Sequence, residues 1–276
     1  MDIEGISMRV TVGGLELRRA PRILLTYKRR TILSTCEIDI PDPDGTVIGQ
    51  IAKEQPVDVQ FWYRGGGLGE RHHWQGTVEG KGQAQLTERT GPDVVRVYAV
   101  GLEKKLLTTR VTEAMFDEPA SVVAKRLLAK TGLPVATVKV PEDILPHIVF
   151  SDAPVAAAVK QLGQSLEQSF GHDLSKHAVW LGEAGLYWSD EDEPGSIPRI
   201  ASCEMLLTHS PNDDVSKYAE VTSILYPGIR DSRKVRIKDA RRGMDVTVRA
   251  EEVIHLIREE RCNTTTIKYG ADYGWG

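Results

Sequence analysis

Three short runs of alternating apolar and polar residues between Pro56 and Leu102 place the strongest constraint on the fold of this chain. The runs cover residues 57–63, 73–78 and 94–100, and the segments between them are rich in glycine, proline and charged residues. Because successive side chains of a strand point to opposite faces, the pattern predicts three consecutive antiparallel strands with one face against a core. The other face is then left for water or a partner.

The same alternation divides the first of these runs into two faces. Four apolar side chains fall on the predicted core face: Val57, Val59, Phe61 and Tyr63. The opposite face carries Asp58 and Gln60, and Trp62 lies between polar residues on that side. A large aromatic ring on a polar face favours contact with another protein, so Trp62 is predicted to lie in an interface.

Further strands are predicted before this block. A Gly13-Gly14 pair between two alternating runs, residues 8–12 and 15–17, indicates a tight hairpin, since glycine readily adopts the positive φ that such turns need. Additional strands are expected at residues 23–27, 35–40 and 47–51. The N-terminal part therefore resembles a small barrel or sandwich with no helix.

The period of the apolar residues changes at Pro119. From there to Gly132, apolar residues recur at the 3.6-residue spacing of a helix that rests on a surface along one side, and Gly132 suits the helix end. A second helix is expected from Pro154 to Phe170, followed by Gly171. Short strands surround both helices, so residues 113–200 are predicted to form an α+β module.

The C-terminal part again reads as strands, and their order repeats that of the opening block. Residues 57–61 correspond to 235–237, residues 74–78 and their continuation to 246–257, and residues 94–101 to 264–270. The sequence thus predicts a mainly β fold in which two small, pseudo-duplicated β-barrel domains flank a helix-containing module. The expected domains are residues 1–112, 113–200 and 201–276.

The overall composition excludes some classes of function. The 276 residues carry a formal net charge of −4, which gives no general attraction to nucleic acid or to an anionic membrane. No apolar stretch approaches the length of a membrane span, and no secretory leader is expected. The three cysteines are widely spaced, which indicates neither a disulfide framework nor a zinc site.

No catalytic, cofactor-binding or metal-binding residues are predicted. His72 and His73 are adjacent in a strand and should point to opposite faces, so they are poorly placed to share a metal ion. The acidic segment 190–193 lacks the ligand spacing of a calcium loop. His255 alternates within a strand and is expected to be packed or to lie in an interface.

The order of these parts resembles that of bacteriophage tail baseplate hub proteins, the group that includes late control protein D, the Mu-type hub and the hub part of type VI secretion spikes. The resemblance is carried by residues 74–78 (Trp-Gln-Gly-Thr-Val), residues 95–102, the helix after Pro119, and the strands at 246–257 and 265–270. It covers nearly the whole chain in order of elements.

The resemblance implies a homotrimer with pseudo-sixfold symmetry, in which three chains supply six similar barrels. Such a ring joins the sixfold tail tube, or a distal tail protein, to the threefold central spike protein. It encloses a channel for the tape-measure protein and for DNA, which passes without sequence-specific binding. The chain would assemble in the host cytoplasm, become part of the virion, and bind no membrane itself.

Two functions of other classes stay open from the sequence. One is a cell-wall-degrading hydrolase with β-barrel modules, and the other is an OB-like nucleic-acid-binding domain. In the hub interpretation the subunit interfaces are expected to involve aromatic and imidazole side chains of the two strand blocks and the C-terminal tail: Trp62, Trp74, His255, Tyr269 and Trp275.

Overall fold

Strands from both ends of the chain fold together, and the residues between them form a second unit. The first unit, here called the strand unit, consists of the described residues within 5–28, 33–102 and 195–270. The second, the insert unit, consists of residues 29–32 and 103–194. The computed structural model describes residues 5–17, 20, 22–66, 71–84, 94–212, 218–259 and 262–270.

The N-terminal half of the strand unit follows the predicted alternation. In the run that begins at Pro56, the four apolar residues assigned to the core face are buried, whereas Asp58, Gln60 and Trp62 are half-buried on the other face. The described elements of this half are β1 (Ile6–Val12), β2 (Leu15–Leu17), β3 (Arg22–Lys28), β4 (Thr35–Pro41), α1 (Val47–Gln50), β5 (Pro56–Tyr63), β6 (His72–Ala84) and β7 (Val94–Gly101).

The prediction of a strand at residues 47–51 is wrong, because Val47–Gln50 forms the helical turn α1. The carboxylate of Asp42 accepts hydrogen bonds from the backbone N–H groups of Val47, at 2.9 Å, and Ile48, at 3.0 Å. These two bonds satisfy donors that have no partner within a first helical turn. An acceptor five residues upstream leaves no trace in the apolar pattern, which is why alternation misassigned this segment.

The insert unit contains both predicted helices. Val123 and Leu127 lie on the buried side of the first, and Val159, Leu162 and Leu166 on that of the second, which ends at Gly171 with a φ of 75°. One short helix in this unit was not predicted. The elements are α2 (Lys104–Thr108), β8 (Arg110–Pro119), α3 (Ala120–Ala129), β9 (Val135–Val138), β10 (Ile144–Pro154), α4 (Val155–Phe170), β11 (Ala178–Gly182) and β12 (Gly185–Ser189).

Two small sheets support these helices. Strands β8 and β10 form an antiparallel ribbon, and β11 and β12 form a hairpin with β9 parallel to β12. The side chains of Met115, Ile148 and Phe150 are buried on one side of the ribbon, while Phe116 and Val149 are exposed on the other. The ribbon therefore packs on one face only.

The C-terminal half of the strand unit repeats the strand pairings of the N-terminal half. Its elements are β13 (Arg199–Ala201), β14 (Leu206–Ser210), β15 (Ala219–Ile224), β16 (Lys234–Asp239), β17 (Met244–Arg249), β18 (Glu252–Arg258) and β19 (Thr264–Tyr269). Four antiparallel pairs of the first half have counterparts in the second. The pair β3–β4 corresponds to β14–β15, β4–β7 to β15–β19, β6–β7 to β18–β19, and β5–β6 to β16–β17. The predicted correspondence of strand order is present in the fold.

One continuous sheet joins the two halves. Strand β18 pairs with β19 on one side and with β3 on the other, from Glu252 opposite Lys28 to Arg258 opposite Arg22. This pairing completes an eleven-stranded curled sheet in the order β14-β15-β19-β18-β3-β4-β7-β6-β5-β1-β2, beside a three-stranded sheet in the order β13-β16-β17. Buried residues of both halves share one core, so neither half packs alone.

The mainly β fold with a helical insert is confirmed, since the described residues contain nineteen strands and four helices. The division into domains 1–112, 113–200 and 201–276 stays a prediction. In the structure the first and last of these segments contribute to the same sheet, because β3 and β18 are hydrogen-bonded neighbours. Among the described helices, none is long and apolar enough to cross a membrane.

Candidate subunit interface

Trp62 occupies the outward face of β5, where it is half-buried. Ser7 of β1 is its neighbour across the strand pair, and the guanidinium carbon of Arg71 lies 3.8 Å from the centroid of its ring. A cation–π contact at an exposed site contributes about 0.5–1 kcal/mol. It holds a partly exposed aromatic surface in place, which is the kind of group that is enriched in protein interfaces.

A hydrogen-bonded polar cluster lies on the same face of the sheet. Asp58 Oδ2 accepts bonds from Nε2 of His73, at 2.6 Å, and Nε2 of Gln75, at 3.0 Å, while its Oδ1 accepts from Gln60 Nε2 at 2.8 Å. Burial opposes ionisation of Asp58, but these three bonds hold its pKa below the usual value. The face thus presents fixed donors and acceptors beside Trp62, an arrangement suited to recognition by hydrogen bonds.

Trp74 lies inside the strand unit. Its side chain is 4% exposed, and its indole N–H donates to Ser34 Oγ at 2.9 Å. The ring covers Gly76, where a Cβ atom would lie 2.5 Å from Trp74 Cη2 and 2.2 Å from the carbonyl oxygen of Val100. Trp74 therefore fills the space that the missing side chain of a strand glycine leaves at a close backbone approach.

His255 is also buried and pairs with His72 across the core. The centroids of the two imidazoles are 4.8 Å apart, and both residues are no more than 1% exposed. His72 donates from Nδ1 to the carbonyl oxygen of Pro227 and accepts from Tyr27 Oη, each at 2.6 Å. The imidazole pair thus ties β6 and β18 to the segment that precedes β16.

The hydrogen bond of His255 to Ile229 requires a proton on Nε2. Its Nε2 lies 2.9 Å from the carbonyl oxygen of Ile229, which can only accept, and its Nδ1 lies 2.9 Å from Thr265 Oγ1. Burial lowers the pKa of His255 to about 3, and the positive charge of Arg230 acts in the same direction. Burial, Arg230 and His255 likewise hold the pKa of His72 well below its usual value.

Tyr269 is 7% exposed and ends a second buried chain of hydrogen bonds. Its hydroxyl lies 2.7 Å from His209 Nε2, and His209 Nδ1 donates to Asp239 Oδ2 at 2.9 Å. Burial opposes ionisation of Asp239, but His209 and Arg242 hold its pKa below the usual value, and burial raises the pKa of Tyr269. A hydroxyl, an imidazole and a carboxylate in this order resemble a hydrolase triad, yet their burial keeps substrates away.

The structure thus places the predicted interface residues in different settings. Trp62 is partly exposed, while Trp74, His255 and Tyr269 are covered by their own chain; Trp275 lies outside the described residues. A contact of these residues with another subunit stays a prediction. His72 and His73 do point to opposite faces, the first buried and the second exposed. The pairing of His209 with Asp239, thirty positions apart, has no signal in the sequence.

Open strand edges are a further feature of the strand unit's surface. Among the described residues, β2 pairs only with β1 and β14 only with β15, so each leaves one edge of the large sheet without a strand partner. In the smaller sheet, β17 pairs only with β16. Such edges carry backbone donors and acceptors that a strand of another subunit can cover. Leu207 on β14 is 46% exposed beside one of these edges.

A metal centre is not formed by the described part of the chain, in which no three His, Cys, Asp or Glu side chains gather at a possible metal-binding position. Among the described residues, the geometry on the strand unit therefore consists of an aromatic and polar outer face, open edges and buried hydrogen-bonded pairs.

Comparison with known proteins identifies this fold. No protein-family model and no curated protein sequence matches the chain. A tail protein from Neisseria meningitidis matches with a TM-score of 0.66 and 13% identity, over 98% of each chain. The 43 kDa tail protein of prophage MuSo2 from Shewanella oneidensis also gives 0.66, with 10% identity over 96% of this chain and 97% of that one.

A type VI secretion component is similar as well. The Escherichia coli c3393 protein, described as structurally similar to the tail proteins gp27 and gp5 of bacteriophage T4, matches with a TM-score of 0.65 and 12% identity. The match covers 96% of this chain and 77% of that protein. At these identities the likeness concerns the fold, and it spans both the strand unit and the insert. The chain therefore has the fold of these phage tail proteins and of the type VI secretion component.

Proposed function

We propose that this protein is the structural hub of a phage tail baseplate, and that it acts as a homotrimer. Three chains would contribute six similar strand sets to a ring, which would join the sixfold tail tube to the threefold central spike protein. The ring would enclose the channel for the tape-measure protein and for DNA. Tail protein and virion component are the roles that the similar folds support.

The single observation that carries this proposal is the repeated order of strand pairs in the two halves of the strand unit. Two similar halves in one chain allow a threefold ring to present six similar surfaces to a sixfold partner. The halves share one core and one continuous sheet, so their relative placement is fixed within each chain. A fixed spacing between the two halves is what a symmetry adaptor requires.

The interfaces of this ring would use the outer face around Trp62 and the open strand edges. An obligate interface of this kind is expected to bury on the order of 2,000 Å² or more for each pair of subunits. The cluster around Asp58 would supply the polar rim, and strands β2, β14 and β17 would be covered by neighbouring subunits.

The proposal is tested by the oligomer that the purified chain forms. Native mass spectrometry and electron microscopy should show a trimer with a central opening and six similar lobes, alone or with the tail-tube or spike protein. A protein that stays monomeric with both neighbours present would contradict the hub function. A peptidoglycan-release assay on the same preparation should show no turnover, because the proposed role is structural.

The role of Trp62 is tested by Trp62→Ala. Because its ring is partly exposed, the substitution should change monomer stability by about 1 kcal/mol or less, yet shift the trimer towards monomer in analytical ultracentrifugation. Phe170→Ala, which removes a 37% exposed aromatic ring from α4, is the matched control and should leave the trimer intact. If the two variants shifted the trimer towards monomer to the same extent, the prediction that Trp62 lies in the interface would be wrong.

A further inference from the structure

The outer face of the three-stranded sheet β13-β16-β17 carries positive charge that the proposed hub function does not use. On β16, Lys234, Arg236 and Lys238 alternate with buried residues, so all three project from one face, and all are exposed. Arg199 of β13 is aligned with Arg236 in the parallel pair, and Arg249 of β17 is opposite Lys234. These five residues form a surface that is here called the basic face.

The cations of the basic face are regularly spaced. Side chains on one face of a strand are about 6.8 Å apart, and neighbouring strands are about 4.8 Å apart. Lys234, Arg236 and Lys238 therefore form a row along β16, with Arg199 on one side of the row and Arg249 on the other. The chain as a whole has a net charge of −4, so this positive charge is local. Such a surface attracts an anionic partner and speeds its approach.

The basic face already binds carboxylates of its own chain. Arg236 donates from Nε and Nη2 to the two carboxylate oxygens of Asp245, at 2.7 and 2.8 Å, and Arg199 Nη2 lies 3.4 Å from Glu204 Oε1. The bonds from Arg236 lower the pKa of Asp245, so its carboxylate is charged near neutral pH. Two parallel N–H···O bonds are the geometry in which a guanidinium recognises a carboxylate. Carboxylates are therefore anions that this face can hold.

The charges around the face favour an acidic protein over nucleic acid as the partner. The five cations meet three carboxylates, those of Asp245, Glu204 and Glu251, the last bonded to Arg249 at 2.7 Å, so positive charge remains in excess. Asp245 and Glu204 are exposed and would face a bound molecule. Duplex DNA carries one negative charge per about 1.7 Å and would bring phosphates against these two carboxylates. An acidic protein carries separate carboxylates, which can be placed opposite the cations alone.

We propose that the basic face binds an acidic surface of a partner protein. Carboxylates of the partner contact Lys234 and Lys238, and they compete with Asp245 for the guanidinium of Arg236. The corresponding pair of the first half, β5–β6, presents Trp62 on its outer face instead, so each chain offers one basic face. The face belongs to the strand unit alone, and binding there does not require ring formation.

The test measures the fluorescence anisotropy of labelled hexaglutamate peptide and of a short labelled DNA duplex as the full chain is added. At an ionic strength of about 0.1 M, charges more than about 10 Å apart are largely screened, so binding reports the local surface. The peptide should bind in a saturable manner and more tightly than the duplex at the same concentration of negative charge. Absence of saturable peptide binding would overturn the proposal, and tighter binding of the duplex would overturn it in favour of nucleic acid.

Lys234→Glu combined with Lys238→Glu should weaken peptide binding by about tenfold or more, because two attractive contacts become repulsive. Both side chains are exposed, so the variant should keep its fold and melting temperature. Lys160→Glu combined with Lys176→Glu is the matched control, since these exposed residues of the insert unit give the same change in net charge. It should keep the affinity within about twofold. Equal weakening in both variants would overturn the basic face as the binding surface.

Asp245→Asn should have the opposite effect, because it removes the carboxylate that occupies Arg236. Peptide binding should become about threefold tighter or more, as expected when a competing charge is removed from an exposed pair. Asp173→Asn, at an exposed position of the insert unit, changes the net charge equally and should leave the affinity unchanged. An unchanged or weaker affinity in Asp245→Asn would overturn the competition at Arg236.

Discussion

The two halves of the strand unit differ at one corner, the point where the chain passes from one strand pair to the next. In the first half, β6 runs for thirteen residues, pairs with β5 through its first part and with β7 through its second, and bends at a bulge between Val78 and Gly80. In the second half the same two roles are divided between β17, which pairs with β16, and β18, which pairs with β19.

The residues at the two corners explain the difference. The continuous strand carries Gly76, Gly80 and Gly82, and Gly76 has no space for a side chain. The interrupted corner has Ala250 and Glu251, and both are buried. Their backbone N–H groups donate to the carbonyl oxygens of Arg233 and Lys268, outside the β17 and β18 ladders. A strand that stays continuous while it passes from one neighbouring strand to another thus needs glycine at that point. An interruption between two strands allows residues with side chains there. Halves with the same pairing order can therefore share little sequence.

The largest expected effect comes from adding a side chain at Gly76, in the continuous strand of the first half. Gly76→Val should lower the free energy of unfolding by about 4 kcal/mol, because its Cβ atom would clash with the backbone of Val100 and with the ring of Trp74. Gly80→Ala, which meets no atom within 4 Å, should change it by about 0.5 kcal/mol or less. Urea unfolding measures both. A loss below about 1 kcal/mol for Gly76→Val would show that the first corner is as tolerant as the second.

A smaller difference in stability is expected when a partner of Asp39 in the first half or of Asp239 in the second half is removed. Arg96→Met should cost about 3 kcal/mol, because Asp39 is fully buried, is bonded to Nε and Nη2 of Arg96 at 2.7 and 2.9 Å, and would keep Arg22 Nη1 only at the longer distance of 4.0 Å. His209→Leu should cost only about 1–2 kcal/mol, because Asp239 keeps Arg242 at 3.1 Å. Thermal unfolding of the two variants compares them. Equal losses would mean that Arg242 does not support Asp239.

The third prediction concerns pH and the imidazole pair between the halves. The folded pKa of His255, about 3, lies below the usual value near 6.5, so the unfolded chain binds more protons between these values. Stability contributed by neutral His255 is therefore complete above about pH 6.5 and lost as the pH falls towards 3, by about 1.4 kcal/mol per pH unit. His72, whose pKa is lowered in the same direction, should add to the slope.

His255→Gln tests this, because the amide does not titrate. Its unfolding free energy should depend less steeply on pH between 6.5 and 4.5, by about 1.4 kcal/mol per pH unit. Thr265→Val, which removes the hydroxyl beside His255 Nδ1 but keeps the imidazole, should lower stability at every pH and leave the slope nearly unchanged. An unaltered slope in His255→Gln would show that His255 becomes protonated without unfolding.

Periodicity was sufficient for the elements whose faces are simple. The alternation at 57–63 predicted the buried side of β5, and the 3.6-residue spacing predicted α3 and α4 with the glycine that ends α4. It failed at Val47–Gln50, where a carboxylate outside the run decides the conformation. The candidate site was found in part: Trp62 is on an outer face, whereas the burial of Trp74 and Tyr269 depends on distant residues.

The sequence by itself determined most strands of the two strand blocks, the two long helices and the order in which the strands recur, because these depend on neighbours a few positions apart. Only the tertiary structure decided that β3 and β18 join the two strand blocks into one sheet, that His72 and His255 meet in its core, and that Arg199 lies beside Arg236 on one outer face. Those contacts connect residues that are far apart in the chain. Burial of apolar surface and the pairing of hydrogen-bond donors with acceptors determine these contacts, and neither can be inferred from the spacing of residues in a short segment.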